Sequence, residues 1–229
     1  MLDRTRRPGL SSGAMQRLRF RFSRGEELKY ISHLDLMRLW SRALRRAGLP
    51  VAYSEGFSPH PKISLAAPLP IGVTSEAELM DITLWKPVSP HFAMKSLVPR
   101  LPRGIDLVEI EEASLAGASL QSQVRYAEYR VVVETADTEA KIGSAIEELL
   151  QADTLPWQHM RDTGPRQYDL RPLVSDVWLL DHNGPYATLG MRLRCDSQGT
   201  GRPEQVSVAL GFPTYPVSIH RTALVLARK

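Results

Sequence analysis

Only one cysteine, Cys195, occurs in the 229 residues. No internal disulfide can form, and a self-contained three- or four-cysteine iron–sulfur site is excluded. A lone thiol fits a reducing compartment, so the chain reads as cytoplasmic. No run of about 18 apolar residues is present, which argues against a membrane span. Arg4, Arg6 and Arg7 lie near the start, yet no apolar h-region follows them. Residues 1–14 therefore read as a disordered basic leader, with Met15 as an alternative start. His, Cys, Asp and Glu recur at no spacing that matches a strong metal motif, and no metal site is expected.

Hydrophobic residues make up 43 % of the chain, enough for packed cores. The length suits one large domain or two of roughly 100 residues each. The net charge of +4 is unevenly spread: residues 1–47 carry twelve Lys/Arg against four Asp/Glu, and the remainder seventeen against twenty-one. A basic N-terminal region on a slightly acidic body suits RNA or an acidic protein partner.

Gln16 to Ser23 alternates Leu18, Phe20 and Phe22 with Arg17, Arg19 and Arg21, the period of a strand with one apolar face. Ser32 begins a helix, with Asp35 at N3 closing a weak capping box. Leu34, Met37, Trp40, Leu44 and Ala47 form its expected buried stripe, and Gly48 with Pro50 stops it. Short strands follow at 51–53 and 62–66, then a strand at 79–85, a helix at 90–101 and a strand at 105–110. This is the split β-α-β order.

A second cycle reads as a strand at 126–134, a helix at 138–150, strands at 155–160 and 187–195, a short helix at 203–210 and a strand at 217–227. The insert 161–186 reads as irregular. The expected fold is α+β, with tandem ferredoxin-like domains built on antiparallel sheets. The first spans 15–112, the linker 113–123 and the second 124–229.

The densest chemistry lies in Tyr53-Ser-Glu-Gly-Phe-Ser-Pro-His-Pro-Lys62, with Ser32-His-Leu-Asp35 upstream. Glu55 and His60 suit proton transfer if the loop folds back, and Lys62 suits an anion. His33 and Asp35 join them as a ligand or proton-transfer site, against plain helix-cap roles. Gly56, Pro59 and Pro61 constrain the loop. No residue is assigned as catalytic.

Arg38, Arg42 and Arg45 recur at four- and three-residue intervals, as successive phosphate contacts would, and Arg46 extends the patch. Tyr30 and Tyr53 offer stacking surfaces. Arg166, Tyr168 and Arg171 form a second candidate RNA-binding cluster, in which Asp169 is expected to orient an arginine and leave guanidinium groups for an anion, with His220 and Arg221 on the same face. Cys195 reads as a core thiol.

These blocks resemble the radical-SAM-associated DUF2344 family. The resemblance rests on Lys29 to Asp35, Arg42 to Pro50, Tyr53 to Lys62, Pro68 to Gly72, Glu78 to Asp81, Tyr168 to Pro172 and His220 to Thr222. It implies an accessory module for a separate radical-SAM protein carrying a 4Fe-4S cluster, S-adenosylmethionine and cobalamin, with no cofactor on this chain. It further implies work in RNA modification or ribosome maturation, with tRNA or rRNA as the nucleic acid. Two other readings stay open. One is a protein-only scaffold, and the other a metal-independent RNA-processing enzyme using His33 and His60.

Overall fold

The computed structural model describes residues 15–161 and 164–227. The expected 1–14 leader lies outside them. In chain order the elements are β1 (Gln16–Arg24), α1 (His33–Arg46), β2 (Ile63–Leu65), β3 (Thr74–Leu84), α2 (Pro90–Leu97), β4 (Leu107–Ala113), α3 (Leu120–Gln123) and β5 (Val124–Glu134). Then come α4 (Glu139–Gln151), β6 (Pro156–Arg161), β7 (Gly164–Asp169), β8 (Val174–Asn183), β9 (Tyr186–Asp196), β10 (Gly199–Thr200), α5 (Pro203–Ala209) and β11 (Ser218–Leu226).

Nine strands join in one sheet, ordered β10-β9-β5-β11-β3-β1-β4, with β2 on β3 and β8 on β9. The fold is α+β. The sheet is mixed rather than antiparallel as expected, because β11 runs parallel to β3 through His220↔Thr74 and Arg221↔Ser75. That pairing carries one continuous sheet across both halves of the chain.

The alternation in β1 does what its period predicts. Leu18, Phe20 and Phe22 are fully buried, with Trp40 of α1 edge-on to both rings at 6.0 and 4.9 Å. Burying each such side chain contributes roughly 1.5–3 kcal/mol. Arg19 on the opposite face pairs with Asp81 at 2.8 Å, and Arg21 with Glu109 at 3.1 Å. The second cluster gathers Ile142, Ile146 and Leu149 of α4 with Tyr129, Val131, Leu189 and Val206. Ala66, Ala67, Leu69 and Val73 belong to it as well, and within 113–123 the short α3 inserts Leu120.

Two expectations are corrected. Leu34 is exposed, and the buried stripe of α1 is Leu36, Trp40, Ala43 and Leu44. At 100° per residue Leu34 lies about 120° from Trp40, on the arginine side. The segment 161–186 is not irregular, since β7 and the ten-residue β8 fall in it. Register shifts between Val174 and Asp176 and between Leu179 and Asp181 break the period-two signal that would mark β8.

Candidate functional site

Ser32 caps α1: its Oγ accepts from the Asp35 N–H at 3.1 Å and donates to Asp35 Oδ2 at 2.7 Å. Arg38 donates to Asp35 Oδ1 at 3.1 Å. Those hydrogen bonds, Ser32's first and then Arg38's, hold the Asp35 carboxyl below its usual range. Asp35 is therefore occupied as a cap, and His33 stands exposed beside it. Arg38, Arg42 and Arg45 share the outward face of the helix. Among the described residues no carboxylate pairs with Arg42, Arg45 or Arg46, all three exposed.

The turn before α1 is held from inside. Buried Arg24 donates to the carbonyls of Leu28, Lys29 and Ile31 at 3.0, 3.1 and 2.8 Å. Burial lowers its pKa, with Arg221 adding to the effect. The turn presents Tyr30, 71 % exposed, with Lys29 Nζ 5.2 Å from its ring centroid.

The 53–62 segment closes at its base. Ser54 N–H donates to the His60 carbonyl at 2.8 Å, His60 N–H donates to Ser54 Oγ at 2.9 Å, and Tyr53 bridges Pro61. Ser54 and the His60 backbone thus make this clamp. Glu55, His60 and Lys62 are exposed, and no ion pair joins Glu55 to His60 among the described residues. Phe57 at the loop's outer end is fully exposed. Gly56 carries φ +117°, a conformation that favours glycine.

Between the loop base and the C-terminal end of α1 lies a cleft of about 370 Å³, lined by Arg45, Pro50, Tyr53, Pro61 and Trp85 among others. Backbone bonds fix its walls: Trp85 N–H donates to the Pro50 carbonyl at 3.0 Å, and Ala52 N–H to the Thr83 carbonyl at 2.8 Å. Trp85 was missed by sequence reasoning, as was Phe57. An aromatic just past the end of a strand, before Lys86-Pro87, and another between Gly56 and Ser58 were the signals to follow.

The other expected cluster serves packing. Arg171 donates to the carbonyls of Leu150, Ala152 and Val174 at 2.7, 3.1 and 2.7 Å, closing the end of α4. Asp169 Oδ1 accepts from the Leu155 and Arg171 N–H groups, so it orders backbone rather than a guanidinium. Tyr168 donates its hydroxyl proton to Gln205 Oε1 at 2.6 Å. The Arg166 side chain lies outside the described residues.

His220 and Arg221, adjacent on β11, face opposite ways. His220 Nδ1 is hydrogen-bonded to Thr74 Oγ1 at 2.7 Å, and its Nε2 lies 3.4 Å from Glu76. Arg221 is sealed in the interior against Glu78 and the carbonyls of Ala67 and Pro68. Cys195 is buried, and burial pushes its thiol pKa up. Among the described residues no group of three or more His, Cys, Asp or Glu is placed to hold a metal. No described helix is long and apolar enough to cross a membrane.

A family model described as "Uncharacterized protein conserved in bacteria (DUF2344)" matches residues 17–203. The chain belongs to this family. The matched DUF2344 span covers α1, the 53–62 loop, the cleft and the Arg171 cap. No curated protein matches the chain. A chain in the crystal structure of a Cbf5-Nop10-Gar1 complex superposes with a TM-score of 0.51 at 10 % identity, over 90 % of this chain and 48 % of that one. A chain in the archaeal box H/ACA sRNP Nop10-Cbf5 complex gives 0.48 at 11 % identity, over 91 % and 48 %. The DUF2344 chain thus spans about half the length of these solved chains. The first likeness is one of fold alone.

Proposed function

We propose that this chain is a non-catalytic accessory module that positions RNA for a separate radical-SAM enzyme in RNA modification or ribosome maturation. In this reading the partner carries the 4Fe-4S cluster, S-adenosylmethionine and cobalamin, the RNA is tRNA or rRNA, and the work is cytoplasmic. The observation that carries the proposal is the outward face of α1. Among the described residues Arg42 and Arg45 form no ion pair with a carboxylate, though Asp35 feels the Arg42 charge; they stand in line with Arg38, flanked by exposed Tyr30 and Tyr53. Unpaired guanidiniums one helical turn apart suit successive phosphates.

Each half is proposed to be a split β-α-β unit. The strand orders β4-β1-β3-β2 and β11-β5-β9-β8 support this, each with one helix after its first strand and one before its last.

The test is RNA affinity as a function of salt for the chain and for its Arg38→Glu/Arg42→Glu/Arg45→Glu variant. Loss of three phosphate contacts lowers affinity and flattens the logarithmic salt slope by about 2. Unchanged affinity sinks the proposed surface. A protein-only scaffold is the second reading, favoured by Phe57, whose ring is solvated over its whole surface. Capture of the radical-SAM partner by a chain with no RNA affinity would select it.

A further inference from the structure

We infer that the cleft between Tyr53 and Trp85 receives an unpaired nucleobase, so that the RNA held by α1 is single-stranded or looped where it meets the end of the helix. This rests on the RNA reading of α1. The cleft adds what a row of arginines lacks. Phosphate contacts do not by themselves select an unpaired strand, whereas an aromatic surface reaches a base face only when that base is unstacked.

Three features fit this occupant. Tyr53 and Trp85 are each about half exposed, 52 % by area, whereas Trp40 is buried in the first core and Trp157 and Trp178 are partly buried. Exposed rings lining one cleft form a stacking surface. Second, Arg45 lines the same cleft while belonging to the arginine row of α1, so a backbone tracked along Arg38 and Arg42 arrives at the rings. Arg45 has no carboxylate partner among the described residues, leaving its charge for a phosphate or its plane for a base. Third, the cleft is preformed. Tyr53 is fixed by its bridge to Pro61, Trp85 by its bond to the Pro50 carbonyl, and prolines stiffen both walls. At about 370 Å³ it lies near the lower end of the range for small-ligand sites, about 300–1,000 Å³. The floor is apolar, supplied by Leu44, Leu49 and Val51. It offers a ring somewhere to sit and no carboxylate to repel its phosphate.

The experiment measures binding of one RNA oligonucleotide, alone and annealed to its complement, by tryptophan fluorescence and by anisotropy of a labelled strand. The chain is compared with Trp85→Ala, Tyr53→Ala, Trp85→Phe and the α1 charge-reversal variant, each checked for native circular dichroism. The single strand is expected to bind more tightly than the duplex and to quench a signal that Trp85→Phe lacks. Trp85→Ala and Tyr53→Ala weaken the single strand by roughly 5- to 150-fold, the range of one lost stacking contact, and leave the salt slope unchanged. Trp85→Phe, which keeps a ring, weakens it less.

Equal affinity for strand and duplex, or full affinity in Trp85→Ala, overturns the base site. If the charge-reversal variant is weakened in that case, the RNA role of α1 still stands. Failure of the folded chain to bind either RNA overturns both readings together.

Discussion

Replacing Glu78 by Gln keeps the shape of a buried side chain and removes its charge, which isolates the electrostatics of the seam between β11 and β3. Arg221 and Glu78 side chains are 1 % and 2 % exposed. Arg221 Nε donates to Glu78 Oε1 at 3.0 Å, and its NH2 group donates to the same oxygen. Burial by itself pulls the Arg221 pKa down, and the carboxylate of Glu78 reverses that to a net rise. Arg24, also buried, feels both: Arg221 lowers its pKa further and Glu78 offsets part of the fall. In the Gln variant two interior guanidiniums that repel one another lose their shared counter-charge.

Breaking a buried pair from one side costs about 3–5 kcal/mol. Against a typical total of about 5–15 kcal/mol, that is roughly a fifth or more. At roughly 2–4 °C per kcal/mol, the melting temperature falls by about 6–20 °C. Urea and thermal unfolding, followed by circular dichroism, measure it. Pairing Glu78→Gln with Arg221→Met removes both charges, so the double variant should recover much of the single variant's loss. A loss below about 1 kcal/mol in Glu78→Gln would falsify the assignment of this pair as a sealed ionic contact, since only solvent access could spare Arg221 so fully.

Two further outcomes follow from particular contacts. A Cβ on Gly190 would stand 2.1 Å from the Trp178 ring, so Gly190→Ala should displace the indole and lower stability by about 1–3 kcal/mol; an unchanged urea midpoint would show that the ring swings aside freely. Burial pushes the Tyr129 hydroxyl pKa from 10.0 up to about 12. The folded state then keeps a proton that the unfolded chain has lost, so this contribution to stability is intact below pH about 10 and falls by roughly 2–3 kcal/mol as pH rises toward 12. Tyr129→Phe should flatten that alkaline limb relative to the parent, and identical limbs would refute the shift.

Much of the candidate surface was legible because it is local. A helix face is written in residues three and four apart, so the Arg38, Arg42 and Arg45 row and the Ser32 cap follow from spacing. Leu34 shows the limit of that reading, since an apolar residue near the first turn was assigned to the core by type when its angle puts it outside. Trp85 went unread as a site residue because its partner across the cleft, Tyr53, is brought near by the pairing of Val51 with Leu84, a contact between separate segments. Arg171 was read as an anion contact for the converse reason. Two of the three carbonyls it satisfies belong to Leu150 and Ala152, about twenty residues upstream.

The sequence by itself determined the α+β class and most element positions. These follow from hydrophobic period, caps and composition, all of which act over a few residues. Tertiary structure decided that strands from both halves of the chain share one mixed sheet. It also decided which arginines are buried and which stand free. Arg24 and Arg221 are sealed while Arg42 and Arg45 are solvated, although all four are the same residue type in basic or mixed surroundings. The difference lies in partners: Glu78 meets Arg221 across 143 residues of chain. Arg24 is held by carbonyls four to seven residues along the chain, but the counter-charge of Arg221 comes from a distant segment, which no window of neighbouring residues contains.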